Sequence, residues 1–159
     1  MFLLSPIHEL TIVTVADAGV PNMERIVIRP TEIVNLGQFG MAAGLASAEP
    51  NLVLPLTNNF FWFPSTLVEP PSWIFLYTGP GTTELTTLAG TSEAAYVFHW
   101  GVQSTMFKFR EVVPVIFRQA GMLIGPNPST SSFPKQPTLP PVPPVPPPFA
   151  GLPRPKSSS

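Results

Sequence analysis

Two histidines, one aspartate and no cysteine limit the chemistry this chain can carry. Nucleophilic catalysis by a Ser or Thr needs a base in reach and a group that orients the base. The base would have to be His8 or His99, and the orienting carboxylate Asp17 or a Glu. No Gly-x-Ser-x-Gly elbow is present. His99 falls between Phe98 and Trp100 in a predicted strand, where a histidine more often packs than shuttles protons. His8 sits near the chain start. Paired carboxylates for glycoside chemistry would come from Glu69, Glu84, Glu93 or Glu111, and no two share one strand face. A metal site wants three or four ligands. The chain has no His-x-His, no His-Glu-x-x-His and no thiolate. The segment Thr78–Glu84 brings one carboxylate, too few for a calcium loop. In Gly79-Pro80-Gly81 the proline removes one anion-binding N–H, and no Lys follows, so a connection between strands is expected. No catalytic residue, metal or cofactor is therefore assigned.

Binding chemistry is better supplied. In Asn58-Asn59-Phe60-Phe61-Trp62-Phe63-Pro64, strand alternation puts Phe60 and Trp62 on one face and Phe61 and Phe63 on the other. Either the strand is buried twice, or Phe60 and Trp62 form an exposed patch for a partner. A second candidate is Leu139–Pro148 (LPPVPPVPPP), with seven prolines in ten residues. Polyproline II is already extended, so docking it into an aromatic groove loses little entropy. Pro140 to Pro143 and Pro141 to Pro144 keep the Pro-x-x-Pro spacing. Val142 and Val145 recur at the three-residue period and line one edge. The competing reading of this stretch is a spacer. Basic and aromatic residues interleave only in Phe107-Lys108-Phe109-Arg110, so no nucleic-acid partner is expected.

These residues must be positioned by strands. The chain has 159 residues, enough for one core. Charged residues are 11%, under half the usual ~25%. Of 23 prolines, 13 lie in residues 126–159, which marks a boundary near Gly125. Residues 1–125 are read as the folded domain. Residues 126–159 are read as a disordered proline-rich tail that cannot bury enough apolar surface to fold. The tail carries Lys135, Arg154 and Lys156 and no acid; removing these three charges from a net of −1 leaves −4 on the domain. Apolar runs fall short of the ~18 residues of a membrane span. The start lacks a positively charged leader pattern, so a cytoplasmic location without membrane contact is expected.

Short runs of Val, Ile, Thr and aromatics between Pro and Gly predict strands at Glu9–Val15, Glu24–Arg29, Glu32–Leu36, Asn51–Leu56, Asn59–Phe63, Trp73–Tyr77, Ala94–Trp100, Val112–Arg118 and Met122–Ile124. Pro114 makes its strand an edge. Gly121 suggests a turn into a closing hairpin. Gly40 and Gly44 weigh against a helix at Gly37–Ala48, which reads as a crossing loop. Trp73, Phe75 and Tyr77, and likewise Tyr96, Phe98 and Trp100, are expected to be inward faces of neighbouring strands, with the option that one set shares its burial with Ile74 and Leu76 on the opposite face. The strand count and spacing predict an all-β fold, a sandwich or barrel.

Several of these motifs, taken in order, resemble lamin-tail-type domains, which are immunoglobulin-like sandwiches. Glu32–Gly37 (EIVNLG) is similar to their valine–polar–leucine–glycine turn, and Phe61-Trp62-Phe63-Pro64 to their aromatic–proline strand. Leu67–Gly79 and Tyr96–Gly101 resemble the two elements that follow, and Val115–Gly121 the final hairpin. The likeness spans roughly 24–124. Thr105–Glu111 replaces the asparagine-rich, glycine–aspartate turn usual before the last hairpin. The resemblance implies an immunoglobulin-like antiparallel β-sandwich and a binding or structural module, and it carries over no catalytic residue. The functional expectation is a non-enzymatic module that recognises a protein partner through a sandwich surface and the proline-rich tail. Two alternatives stay open: a small hydrolase or lyase using His99 with a Glu, and a phage or virus structural subunit. Composition does not set the oligomeric state.

Overall fold

A computed structural model gives the structure, described over residues 6–49 and 53–125. The expectations for the proline-rich tail, including Pro140, Pro141, Val142, Pro143, Pro144 and Val145, lie outside the described residues. The chain divides between Met122 and Leu123 into two units, and the strands below belong to the first.

Alternation in the sequence decides which residues face inward. β1 (Leu10–Ala16) and β2 (Arg25–Pro30) form a hairpin around a turn in which Asp17, Gly19 and Asn22 take positive φ. Along β2, Ile26 and Ile28 are fully buried while Arg25 and Arg29 turn outward, as the period of two requires. β7 (Ser72–Tyr77) pairs antiparallel with β2, and β9 (Ala94–His99) pairs with β7. β8 (Glu84–Thr87) closes the edge, giving a five-stranded sheet in the order β1-β2-β7-β9-β8.

The second sheet has three strands in the order β10-β4-β5: β4 (Phe39–Ala46) in the centre, β5 (Val53–Trp62) and β10 (Val112–Arg118) at the edges. Pro114 sits in β10, an edge strand as its missing N–H demands. A small ladder joins β3 (Val34–Asn35) to β6 (Leu67–Val68). The 3-10 turn Leu36–Gln38 follows β3. Between the sheets, Ile26, Ile28, Ile74, Leu76 and Phe98 pack in one core with Phe39, Met41, Ala43 and Phe63. The fold is an all-β sandwich.

Five expectations need correction. β7 and β9 run parallel, because β8 passes to the edge and β9 folds back between it and β7; the sandwich is therefore not wholly antiparallel. Gly37–Ala48 is no loop, since β4 is the middle strand of its sheet. Gly40 makes room for a neighbouring ring, since a Cβ there would lie 2.2 Å from Phe117, and Gly44 makes room for the Val53 side chain. Trp73, Phe75 and Tyr77 are not inward, because Ile74 and Leu76 take the core face of β7. Tyr96 and Trp100 do pack against the core around the buried Phe98. Met122–Ile124 forms no strand; among the described residues β10 pairs only with β4, and no closing hairpin forms. The described part of the segment 51–56 and the segment 59–63 are joined in the single strand β5 (Val53–Trp62).

Candidate functional site

The outer face of the three-stranded sheet is built on small residues. Gly40, Ala42 and Gly44 of β4 alternate with the inward Phe39, Met41 and Ala43. The register sets Gly40 beside Trp62 and Phe117, and Ala42 beside Phe60 and Val115. Large rings from both edge strands therefore lean across a glycine floor. Phe117 meets Phe60 edge-on with centroids 5.8 Å apart, and Trp62 edge-on at 5.0 Å. Edge-to-face contacts of this kind contribute ~0.5–1.5 kcal/mol beyond burial. Even so, Phe60 is 47% exposed and Trp62 54% exposed. The structure thus brings Phe60 and Trp62 together on an open face, and it adds Phe117, which sequence reasoning did not single out as a binding residue. The usable signal was Gly40 in β4, whose missing side chain makes room for the Phe117 ring.

Phe61 and Phe63 take the opposite side of the same segment. They contact each other at 5.1 Å, and Phe61 lies 5.9 Å from Trp100. The strand is consequently buried on one side only.

His99 stands at the end of β9 on the outer face of the five-stranded sheet. Its ring stacks on Tyr77 with centroids 5.2 Å apart and 18° between planes. Gly81 crosses so closely that a Cβ there would lie 2.2 Å from His99 Cε1. Nδ1 is shielded from solvent and makes no hydrogen bond among the described residues. Among the described residues no carboxylate or hydroxyl hydrogen-bonds the ring as a base with an orienting group would need. Glu93, one of the candidate partners, instead accepts a hydrogen bond from Trp73 Nε1. Among the described residues no three His, Asp or Glu side chains gather as metal ligands.

The most heavily bonded carboxylate is Glu24, which the sequence marked only as a strand start. It is fully buried at the head of β2. One oxygen accepts from the Gly19 N–H at 2.7 Å and the Phe107 N–H at 3.1 Å. The other accepts from the Met106 N–H at 2.7 Å and the Thr78 hydroxyl at 3.0 Å. Each oxygen thus has two donors, and the group ties the β1–β2 turn and the 105–107 segment to the end of β7. Asn35 does similar work at the other end of β2. Its Oδ1 accepts from Gly37 N–H at 2.9 Å and Thr66 N–H at 3.1 Å, joining the EIVNLG segment to the approach to β6.

Among the described residues no helix is long and apolar enough to cross a membrane. In comparisons with known proteins, the chain matches no family model, no curated protein and no solved structure.

Proposed function

We propose that this chain is a non-enzymatic recognition module of lamin-tail-like, immunoglobulin-like type. It engages a protein partner through the Phe60–Trp62 face and, separately, through the polyproline segment Leu139–Pro148. The observation that carries the reading is the half-exposed pair Phe60 and Trp62, propped on Phe117 over the floor of Gly40 and Ala42. Exposed aromatic clusters of this kind are disfavoured by water and enriched where partners bind. His99, packed on Tyr77 beneath Gly81, supports this reading over a hydrolase or lyase built on that residue. For the tail the support is sequence alone: Val142 and Val145 share an edge with the proline rings, and an apolar edge suits an aromatic groove better than it suits a spacer. Single contacts of that type reach micromolar affinity, about −8 kcal/mol.

The test is affinity capture with the immobilised full chain from an extract of its own source cells. Phe60→Ser with Trp62→Ser should remove one set of bound proteins, and Val142→Asp with Val145→Asp should remove a set bound through the tail. Recovery of the same proteins in the same amounts by wild type and both double variants would reject the proposal.

A further inference from the structure

The opposite outer face, on the five-stranded sheet, has a different architecture. Its registers lay the outward side chains in rows across the strands. Arg25, Tyr77 and His99 form one row; Val27, Phe75, Val97 and Glu84 the next; Arg29, Trp73, Ala95 and Thr86 the third. β7 is a column of large rings. Beside it, β9 descends from His99 through Val97 to Ala95. Next to Tyr77 the space is filled by the stacked His99 ring, whereas next to Phe75 the short Val97 and Ala95 leave a trough. A cavity of about 350 Å³ lies there, with Phe75, Tyr77 and Arg25 on one side and Glu84, Thr86 and Leu88 on the other. That volume is at the lower end of the range for small-ligand sites.

The aromatic wall is held in place before any ligand arrives. Arg29 stands over the Trp73 ring at 4.2 Å, and Trp73 Nε1 donates to Glu93. Trp73 and Phe75 are nearly parallel, with 4° between planes and centroids 6.2 Å apart. Arg25 lies 5.6 Å from the centre of the Tyr77 ring, and its guanidinium is itself anchored by Asp17 and the Met23 carbonyl. A wall fixed this way loses little side-chain entropy on binding.

We propose that this trough binds a neutral saccharide. The lining presents an apolar aromatic wall, hydroxyls from Thr86 and Thr87, one carboxylate and one guanidinium. A sugar ring needs that mixture: an apolar C–H face to lie against Phe75, and hydroxyls that both donate to Glu84 and accept from threonines. Arg25 is already paired with Asp17, so among the described residues Glu84 is the lining charge left without an ion pair; it repels an anion and can accept from the hydroxyls of a neutral sugar. Along the wall Arg29 already stands over Trp73, and Arg25 and His99 already pack on Tyr77, so Phe75 is the ring left to the sugar. A peptide partner adding to this sheet would use the free edge of β8 instead, because main-chain bonds are offered there and not on the face.

The probes are cellohexaose, maltohexaose and chitohexaose, with hexagalacturonate as the charged comparator and an uncharged hexapeptide as the other. Amide shifts of the full chain are followed by NMR during each titration. At least one neutral hexasaccharide should shift the amides of Phe75, Glu84, Ala95 and Val97, with Kd at or below about 1 mM. The exposed-site variant Glu84→Gln should weaken that binding roughly tenfold, and Phe75→Ala should abolish it, each with an unfolding midpoint that shows the fold is retained. The proposal is overturned if no neutral hexasaccharide shifts these amides at tenfold that concentration. It is equally overturned if hexagalacturonate or the peptide shifts them as strongly, or if Glu84→Gln binds like wild type. Phe60 and Trp62 take no part in the titration, so its failure leaves the protein-recognition reading standing.

Discussion

Four donors converge on the Glu24 carboxylate, and all of them lose their partner if the side chain is cut back. A buried N–H left without an acceptor costs ~1–3 kcal/mol. Glu24→Ala should therefore lower stability by at least about 3 kcal/mol in urea unfolding, and Glu24→Gln by less, since one oxygen still accepts. A Glu24→Ala protein with the wild-type midpoint would contradict the role given to this residue. Nothing in the local sequence announces it, because Thr78 is 54 positions away and Met106 is 82. A long-range bond leaves no periodic trace. Glu9 offers a test by pH. The N–H of Glu9 itself hydrogen-bonds its carboxylate, as does that of His8. Arg118, from β10, lies beside the group, and together these hold its carboxyl below the ordinary carboxylate range. A depressed folded-state value means that the linked stability is complete above the unfolded value and disappears as pH falls through the folded one. In Glu9→Gln that part of the acid limb should be missing when urea midpoints are compared between neutral and acidic pH. An unchanged acid limb would show that Glu9 does not contribute.

Strand β4 and strand β7 show what alternation can and cannot tell. In β2 and β9 the apolar and polar positions differ in kind, so their faces were legible: Ile26 and Ile28 inside, Arg25 and Arg29 outside, Tyr96 and Phe98 opposite Val97 and His99. β7 reads Trp-Ile-Phe-Leu-Tyr, apolar on both faces, and the larger residues went outward, because arginines from β2 cover their rings. The face test is a pair of truncations. Phe98→Ala should cost ~3–5 kcal/mol as a core cavity, and Trp73→Ala clearly less. The reverse order would overturn the assignment of faces. In β4 the pattern Phe-Gly-Met-Ala-Ala-Gly-Leu-Ala alternates large and small, and reading its glycines only as evidence against a helix makes it a loop. Here a ring from β10 takes the space beside Gly40. Gly40→Ala should push the Phe117 ring outward and cost about 1 kcal/mol or somewhat more, while altering the fluorescence of Trp62. Unaltered emission together with unaltered stability would mean that the glycine is dispensable.

At the scale of the molecule, the folded unit is a sandwich whose two outer faces differ. One is a small aromatic patch on a glycine floor, and the other a groove beside an arginine-braced wall. The strand count and spacing indicated the all-β class, and composition indicated the change at the proline-rich segment. The parallel β7–β9 pair was not legible, because the excursion through β8 depends on which edge a short, fully exposed strand finds. The Phe60–Trp62 alternation was legible, but which side faced water depended on β4, whose place as a strand was missed. The central claim is that this patch meets a protein partner. It is tested most directly by replacing Phe60 with photo-reactive benzoylphenylalanine in the full chain, in its own cells, against the same replacement at Val13. Val13 is similarly exposed, at 49%, and lies on the other sheet. The account predicts a discrete cross-linked protein adduct at position 60 and none at 13; an adduct yield at 60 no higher than at 13 would contradict it.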